Sequence, residues 1–343
     1  MQVFVYEYLC ARGVCESLPA DSLTTEGQAM LLAVLEDLAR CPGVEPLTLL
    51  APHSPLILTH LGKVQSSEAN EAALFRACAR RADFSLIIAP EFDGLLQERC
   101  EWVEREGGRL LGPTSRAIHL TADKWLLARH LAKKGIPTPE TILWPGSLPA
   151  GRGPMVLKPR HGAGSQATFR IEDQAQLPWC VEQARDEGWQ GDLIVQPWVA
   201  GQTVSVSVLM GPGRTVLLPA TEQHLSGDGR FHYLGGRLPI AEDLNNRAQG
   251  LARRAVEAIP GAQGYLGVDL VLGSACNGSE DQVIEVNPRM TTSYVGIRRL
   301  ARFNVMELLL ALMAGRPGPG EDWHEHAVHF HANGVVSFPA GSG

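Results

Sequence analysis

The sequence predicts a protein of mixed helix and strand in more than one unit: a small open α/β sheet over about residues 1–112, then a larger unit from residue 113. Three observations predict this. Strand-like and helix-like segments alternate through the first 112 residues, the pattern of strands covered by helices. Gly112-Pro113 interrupts that pattern and reads as a linker. Further on, Gly264–Leu272 and Val283–Asn287 are strand candidates near enough to pair as a hairpin. At 343 residues the chain is long enough for two or three domains and a sizeable core.

In the first unit Val3–Tyr8 alternates into a β-rich opening strand, and Thr24–Leu38 carries Met30, Leu31, Val34, Leu35 and Leu38 at helical spacing behind Thr25 as a cap. Pro46–Leu50 and Phe84–Ala89 read as short buried strands, with an amphipathic helix over Glu68–Arg81 between them. Ala89-Pro-Glu-Phe-Asp-Gly94 follows a strand at the carboxyl edge of the sheet, where open α/β sheets place ligands. Glu91 and Asp93 therefore face either a cleft or solvent. Past the linker, Thr121 is the expected cap of a helix with Trp125, Leu126, Leu127 and Leu131 inward, ending at Gly135. Lys124 lies in its first turn, where a cation opposes the helix dipole; a functional role or a solvated side chain would each account for it.

Pro154–Lys158 is a strand ending in a lysine, followed by Pro159-Arg-His-Gly-Ala-Gly-Ser165. Gly162 and Gly164 free the backbone to turn N–H groups toward an anion, and Lys158 adds a point charge for phosphate. The letters from Gly162 to Ala167 fit the dinucleotide pattern GxGxxA, but Gln166–Ile171 is β-like rather than helical, so a hairpin flap over phosphates is expected. Asp192–Gln196 is a strand running into Pro197-Trp-Val-Ala-Gly201. As a crossover between units it offers backbone groups for an adenine edge beside Trp198 and Val199, and as a plain hairpin it offers nothing. Leu217–Ile240, with Thr221-Glu222-Gln223 and Tyr233-Leu-Gly-Gly236, reads as a substrate-side loop and strand, and Asn245–Ile259 as an amphipathic helix.

The densest chemistry is in Gln282–Gly296, QVIEVNPRMTTSYVG. Glu285 and Asn287 share one face of a strand, and pairing with Gly264–Leu272 brings Asp269 beside them. Three such oxygens suit a hard cation, Mg2+ or Mn2+. Arg289 would project the same way if the strand continued past Pro288 and could stabilise charge on a transferring phosphoryl group. Thr291, Thr292 and Ser293 follow as a run of hydroxyls and are expected substrate contacts. Arg298, Arg299 and Arg302 precede a buried helix over Phe303–Met313 and either hold a substrate carboxylate or form a solvated face. The tail carries His324, His326, His329 and His331, without the acid or thiol geometry that zinc would need.

With 45% hydrophobic and 20% charged residues, the composition is that of a soluble globular protein. A net charge of −7 argues against a nucleic-acid partner or an anionic membrane surface. No apolar run approaches the roughly 18 residues of a membrane span, and MQVFVYEYLCARG lacks the features of a signal peptide, so a cytoplasmic location is expected. The cysteines, Cys10, Cys15, Cys41, Cys78, Cys100, Cys180 and Cys276, are scattered without a CxxC and read as free thiols.

Taken in order, the Asp123-Lys124 helix, the Lys158 strand with its glycine flap, the Gln196–Val199 hinge, Asp269 and Glu285-x-Asn287 resemble the ATP-grasp ligases, over about residues 113–315. The resemblance implies two α+β lobes clasping ATP behind a small Rossmann-like pre-ATP-grasp domain. Its bounds would be 1–112 for that domain, 113–192 for the lid lobe, 193–315 for the metal-binding lobe and 316–343 for a tail. It implies Lys124 and Lys158 on the phosphates under Gly162, Gly164 and Ser165, with Gln196, Trp198 and Val199 at adenine. Asp269, Glu285 and Asn287 would hold Mg2+, and Arg289 would steady an acyl phosphate. Thr203 stands where many members place a ribose-binding Glu.

A narrower resemblance rests on Tyr6-Glu-Tyr8, Glu26-Gly-Gln-Ala-Met30, Ala89–Gly94, Tyr233–Gly236 and Thr291–Gly296. These are similar to the tyramine-glutamate ligases of methanofuran biosynthesis and their bacterial relatives, which join a glutamate γ-carboxylate to an amine. There an Asn-Arg-Gln commonly stands in place of Thr221-Glu222-Gln223; Glu222 and Gln223 are candidate substrate residues, and the anion of Glu222 in place of a cation is expected to alter substrate recognition. The partners implied are a small carboxylate and an amine, with a homodimer left open. A non-catalytic nucleotide-binding module and a dehydrogenase using the Gly162 loop are the competing classes.

Overall fold

The computed structural model describes residues 1–13, 20–52, 54, 56, 58, 62–65, 70–147 and 153–339, and their strands form three sheets. The first is parallel in the order β3-β2-β1-β4, from β1 (Gln2–Glu7), β2 (Glu45–Leu50), β3 (Gly62–Gln65) and β4 (Phe84–Ile88). Its helices are α1 (Tyr8–Arg12), α2 (Ala20–Ala39), α3 (Glu71–Arg81) and α4 (Leu95–Arg105). Strand β1 is central and covered on both faces, which is why it reads as a continuous apolar run. Val3 and Val5 pack with Met30, Leu31 and Val34 of α2, while Phe4 and Tyr6 meet Phe75 and Trp102 on the other face.

Three expectations change here. Strand β3 was not foreseen, because Gly-Lys-Val-Gln is short and polar and only edge pairing makes it a strand. Helix α2 begins at Ala20, so Thr25 lies inside it and is no cap. Helix α3 starts at Glu71, and Glu68 lies outside the described residues, as does Cys15.

The second sheet is antiparallel in the order β5-β8-β6-β7, from β5 (Ile142–Leu143), β6 (Met155–Pro159), β7 (Phe169–Ile171) and β8 (Leu193–Pro197). Because β8 pairs with β6, this lobe runs past the expected bound at 192 to Pro197. Around the sheet stand α5 (Ser115–Ala122), α6 (Lys124–Lys133) and α7 (Leu177–Asp186).

The expected single helix from Thr121 is two. Thr121 sits in the last turn of α5, its hydroxyl donating to the Ala117 carbonyl at 2.9 Å, and Asp123 caps α6 by accepting from the N–H groups of Trp125 and Leu126 at 3.1 and 3.0 Å. Asp123 also takes Arg160 at 2.6 Å. Burial pushes its carboxyl up, but His161, Arg160 and the Leu126 N–H outweigh that and hold it below the usual carboxylate range. A depressed carboxylate stabilises the fold above its unfolded pKa near 4, and that contribution fades as pH falls below it. Asp123→Ala is therefore expected to cost about 1–2 kcal/mol at neutral pH and to flatten the acid limb of a thermal-stability profile below about pH 4.

The third sheet is antiparallel, in the order β14-β13-β9-β11-β12-β15-β16 with β10 also on β9. Its strands are β9 (Gln202–Gly211), β10 (Arg214–Leu217), β11 (Thr221–Leu225), β12 (Tyr233–Leu238), β13 (Gly264–Leu272), β14 (Gln282–Asn287), β15 (Val328–His331) and β16 (Val336–Ser337). Helix α8 (Glu242–Glu257) packs on it through Ala248, Leu251, Ala252, Ala255 and Val256, one stripe at helical spacing. Helices α9 (Tyr294–Leu300) and α10 (Val305–Met313) close the other face, so Arg298 and Arg299 belong to α9 and not to the start of α10. The stretch expected to be a tail rejoins the sheet, since β15 pairs with β12 and buries Val328 and Phe330.

Candidate active site

The three sheets meet around a cavity of about 310 Å3. At its floor β13 and β14 pair as expected, with Asp269 opposite Glu285 and Gly267 opposite Asn287. Asn287 Nδ2 donates to Asp269 Oδ2 at 2.9 Å and Gln223 Nε2 to Asp269 Oδ1 at 3.1 Å. Lys124 Nζ stands 3.4 Å from Glu285 Oε2 and donates to the Gly162 carbonyl at 2.8 Å, which supplies the reason for a lysine at that helix start. Burial and the neighbouring Glu285 push the Asp269 carboxyl up. Burial pushes Glu285 up as well, but Lys124 and Lys158 outweigh it and hold Glu285 down. Two facing carboxylates of which one resists ionisation, with an amide whose NH2 is already engaged, form a donor set that fits a hard divalent cation. Lys158, buried beside them at the end of β6, is lowered to about 8, mainly by desolvation.

Toward the lid, β6 and β7 form the expected hairpin, but β7 begins only at Phe169, so Gln166–Thr168 belong to the turn. Gly164 has φ +67° and a Cβ there would lie 2.7 Å from Leu23 of α2, so glycine is needed for both reasons. Ser165 is not free for phosphate. Its hydroxyl donates to the Phe231 carbonyl at 2.6 Å, and Arg230 beside it donates to the Thr168 carbonyl at 2.9 Å and pairs with Glu187. The flap is thus tied to the β11–β12 loop. Trp198 and Val199 line the cavity, but the Trp198 N–H bonds the Pro154 carbonyl at 2.9 Å and its ring lies under Arg170 at 3.9 Å. Gln196 is buried with its amide donating to Thr141 Oγ1 at 2.7 Å, so it holds the lid strand while lining the site. Thr203 lines the cavity and donates to the Gln223 carbonyl at 2.9 Å.

The third wall comes from the first sheet. Arg289 lines the cavity and pairs through Nε with Glu91 Oε1 at 2.9 Å, so Glu91 is buried behind Arg289 rather than in the lining itself. Asp93 is exposed in a left-handed turn. Thr291, Thr292 and Ser293 all line the cavity, with Thr292 Oγ1 donating to Glu26 Oε2 at 2.7 Å. Two expected substrate contacts fail. Strand alternation turns Gln223 inward and Glu222 outward, where Glu222 pairs with Arg237 at 2.7 Å. Arg298 is buried against Asp37 of α2 at 2.6 Å and lies outside the cavity lining. Glu7 was missed as a site residue. It is the one acid of β1, it ends the central strand at the sheet's carboxyl edge, it caps α1 through the Cys10 N–H at 2.7 Å, and it lines the cavity. A lone carboxylate at that edge was the signal.

The sequence profile of the ATP-grasp domain matches residues 121–293, half of the chain, and that of the pre ATP-grasp 3 domain matches residues 48–118. The chain belongs to the ATP-grasp family. Its resemblance to ATP-grasp enzymes extends to tyramine–L-glutamate ligases of Methanocaldococcus fervens, 28% identical over 218 residues, and Methanocaldococcus jannaschii, 27% over 217. Those alignments take in 64% and 63% of this chain but only 62% and 58% of the relatives' own lengths. A D-alanine–D-alanine ligase of Moorella thermoacetica is 27% identical over 202 residues, 52% of this chain and 63% of its own. Among solved structures, an ATP-grasp superfamily protein from Archaeoglobus fulgidus superposes with a TM-score of 0.72 at 26% identity, covering 96% of this chain and 92% of its own. A biotin carboxylase from Campylobacter jejuni, at 16% identity, covers 95% and 74% with a TM-score of 0.73 and shares the fold.

Proposed function

We propose that this ATP-grasp protein is an ATP-dependent ligase that joins a carboxylate to an amine, releasing ADP and phosphate. The observation that carries this is the convergence of Lys124, Lys158, Asp269, Glu285, Asn287 and Arg289, from separate elements, on one cavity beneath a glycine flap. Lys124 and Lys158 neutralise the phosphates so that a carboxylate can approach a polyanion, and the flap backbone orients them. The carboxylate oxygen attacks the γ-phosphorus and ADP leaves. The amine then attacks the acyl carbon, loses a proton and expels phosphate. Arg289, held by Glu91, stabilises charge on the transferring group. Asp269, Glu285 and Asn287 would hold Mg2+ or Mn2+, which would supply further charge neutralisation at the phosphates.

For substrates we propose the γ-carboxylate of glutamate and tyramine, tyrosine or a similar amine, as in a methanofuran-type cofactor pathway. The two methanogen relatives support this. No helix among the described residues is long and apolar enough to cross a membrane. The test is ADP and phosphate release from Mg-ATP with L-glutamate, adding tyramine, tyrosine and other amines singly. Release that requires both glutamate and one amine is expected; ATP binding without release under any acid and amine pairing would refute the ligase.

A further inference from the structure

Beneath the cavity wall runs a chain of hydroxyls that the ligase reading does not use. Tyr265 of β13 donates to Ser207 Oγ of β9 at 2.6 Å, Ser207 Oγ stands 3.3 Å from Ser293 Oγ, and Ser293 Oγ stands 2.8 Å from Thr291 Oγ1. Tyr265 and Ser207 are completely buried and Ser293 is 2% exposed, whereas Thr291 is half-buried and lines the cavity. Gly267 of β13, opposite Ser207 in register, makes the seat for Thr291. A Cβ at Gly267 would lie 2.4 Å from Thr291 Cγ2.

The direction of this chain follows from counting protons. Each hydroxyl carries one, so four hydroxyls joined by three contacts leave one proton over. Burial pushes the Tyr265 phenol up to about 12, against the nearby hydroxyls of Ser207, Thr291 and Ser293, so it keeps its proton at neutral pH and gives it to Ser207, its hydrogen-bond partner at 2.6 Å. If Ser293 then donated back to Ser207, the Ser207 proton would be stranded in the core, at a cost of about 1–3 kcal/mol. Ser207 therefore donates to Ser293. Ser293 is the less exposed of the two hydroxyls that reach the cavity, so its own proton is satisfied by donating to Thr291 rather than to solvent. The remaining proton is that of Thr291, at the cavity end, where a ligand or solvent can accept it.

We infer that Tyr265 and Ser207 are positioning residues that hold Thr291 as a hydrogen-bond donor to an anionic oxygen of the substrate, on the same cavity wall as Arg289. A carboxylate and a phosphate share that chemistry; the ligase reading, on which this point rests, assigns it to the carboxylate of the acid substrate.

The experiment is calorimetric titration of the full chain with L-glutamate and, separately, inorganic phosphate, each in the presence of Mg-ADP. Thr291→Val is expected to weaken glutamate binding about tenfold, as loss of a hydrogen bond to a charged group does, while Thr291→Ser retains it. Tyr265→Phe is expected to weaken it severalfold in the parent and to have no further effect in the Thr291→Val background, because the phenol acts only through Thr291. ADP affinity should stay constant throughout. Losses that add in the double variant, an equal loss of ADP affinity, or no effect of Tyr265→Phe would overturn the inference. If phosphate binding follows the cycle and glutamate binding does not, or if glutamate does not bind the parent, the carboxylate assignment is overturned. The ADP-release assay judges the ligase reading separately.

Discussion

Lys158→Met is expected to lower ATP-dependent turnover by at least about a hundredfold with the fold intact, in line with the loss of a preorganised charge. Lys158 is buried at the end of β6, where desolvation disfavours its charge and Lys124 disfavours it further, with Glu285 and Asp269 acting the other way. A cation kept in such a place is matched to an anion that arrives later, and under the proposed ligase function that anion is a nucleotide phosphate. Glu285→Gln should fall by a similar factor, because it removes a charge facing both lysines and one of the oxygens proposed to hold the cation. Steady-state turnover, with far-UV circular dichroism as the control for folding, decides both. Near-normal turnover of folded Glu285→Gln would remove it from the cation set.

Asp37→Leu is expected to destabilise the protein by about 3–5 kcal/mol, the range for breaking one side of a buried ion pair. Asp37 of α2 accepts from Arg298 Nε at 2.8 Å and NH2 at 2.6 Å and from the Tyr294 hydroxyl, while its backbone carbonyl accepts from Asn304 at 2.7 Å. Its side chain is 7% exposed and that of Arg298 is 5% exposed, so removing the carboxylate leaves a guanidinium in the core with only the half-exposed Glu36 beside it. Arg298→Met alone should cost less, because Asp37 keeps Arg40 at 2.5 Å and the Tyr294 hydroxyl. Combining the two should cost much less than their sum, because no uncompensated charge remains. Denaturant midpoints of the three variants measure this, and a loss below about 1 kcal/mol for Asp37→Leu would show the pair to be dispensable.

How much of the site was legible follows from the range of the signals. Glu285 and Asn287 share a face because side chains alternate along any strand, and Asp269 reaches them because two strands adjacent in sequence pair as a hairpin. These are local rules. The same alternation, applied to Thr221–Leu225, admits only one of Glu222 and Gln223 to the cavity. Which one depends on the pairing of β11 with β9, a contact between residues far apart in sequence. Ser165 and Arg298 misled for a similar reason. A hydroxyl in a glycine loop and an arginine near a helix have the right chemistry for ligands, but Phe231 and Asp37, distant along the chain, claim them first.

The sequence by itself determined the local frame of this protein: the apolar central strand of the first sheet, the lysine-ended strand before the glycine flap, and the hairpin that pairs two carboxylates. Hydrophobic period, turn residues and short-range pairing are enough for that. Only the tertiary structure decided that β8 belongs to the lid sheet, that the last strands complete the large sheet, that Glu7 lines the cavity and Glu91 holds Arg289 from the first unit, and that a hydroxyl chain underlies Thr291. Each of these depends on which distant segments pack together, and that choice is made by burial of whole faces rather than by any stretch of residues read alone.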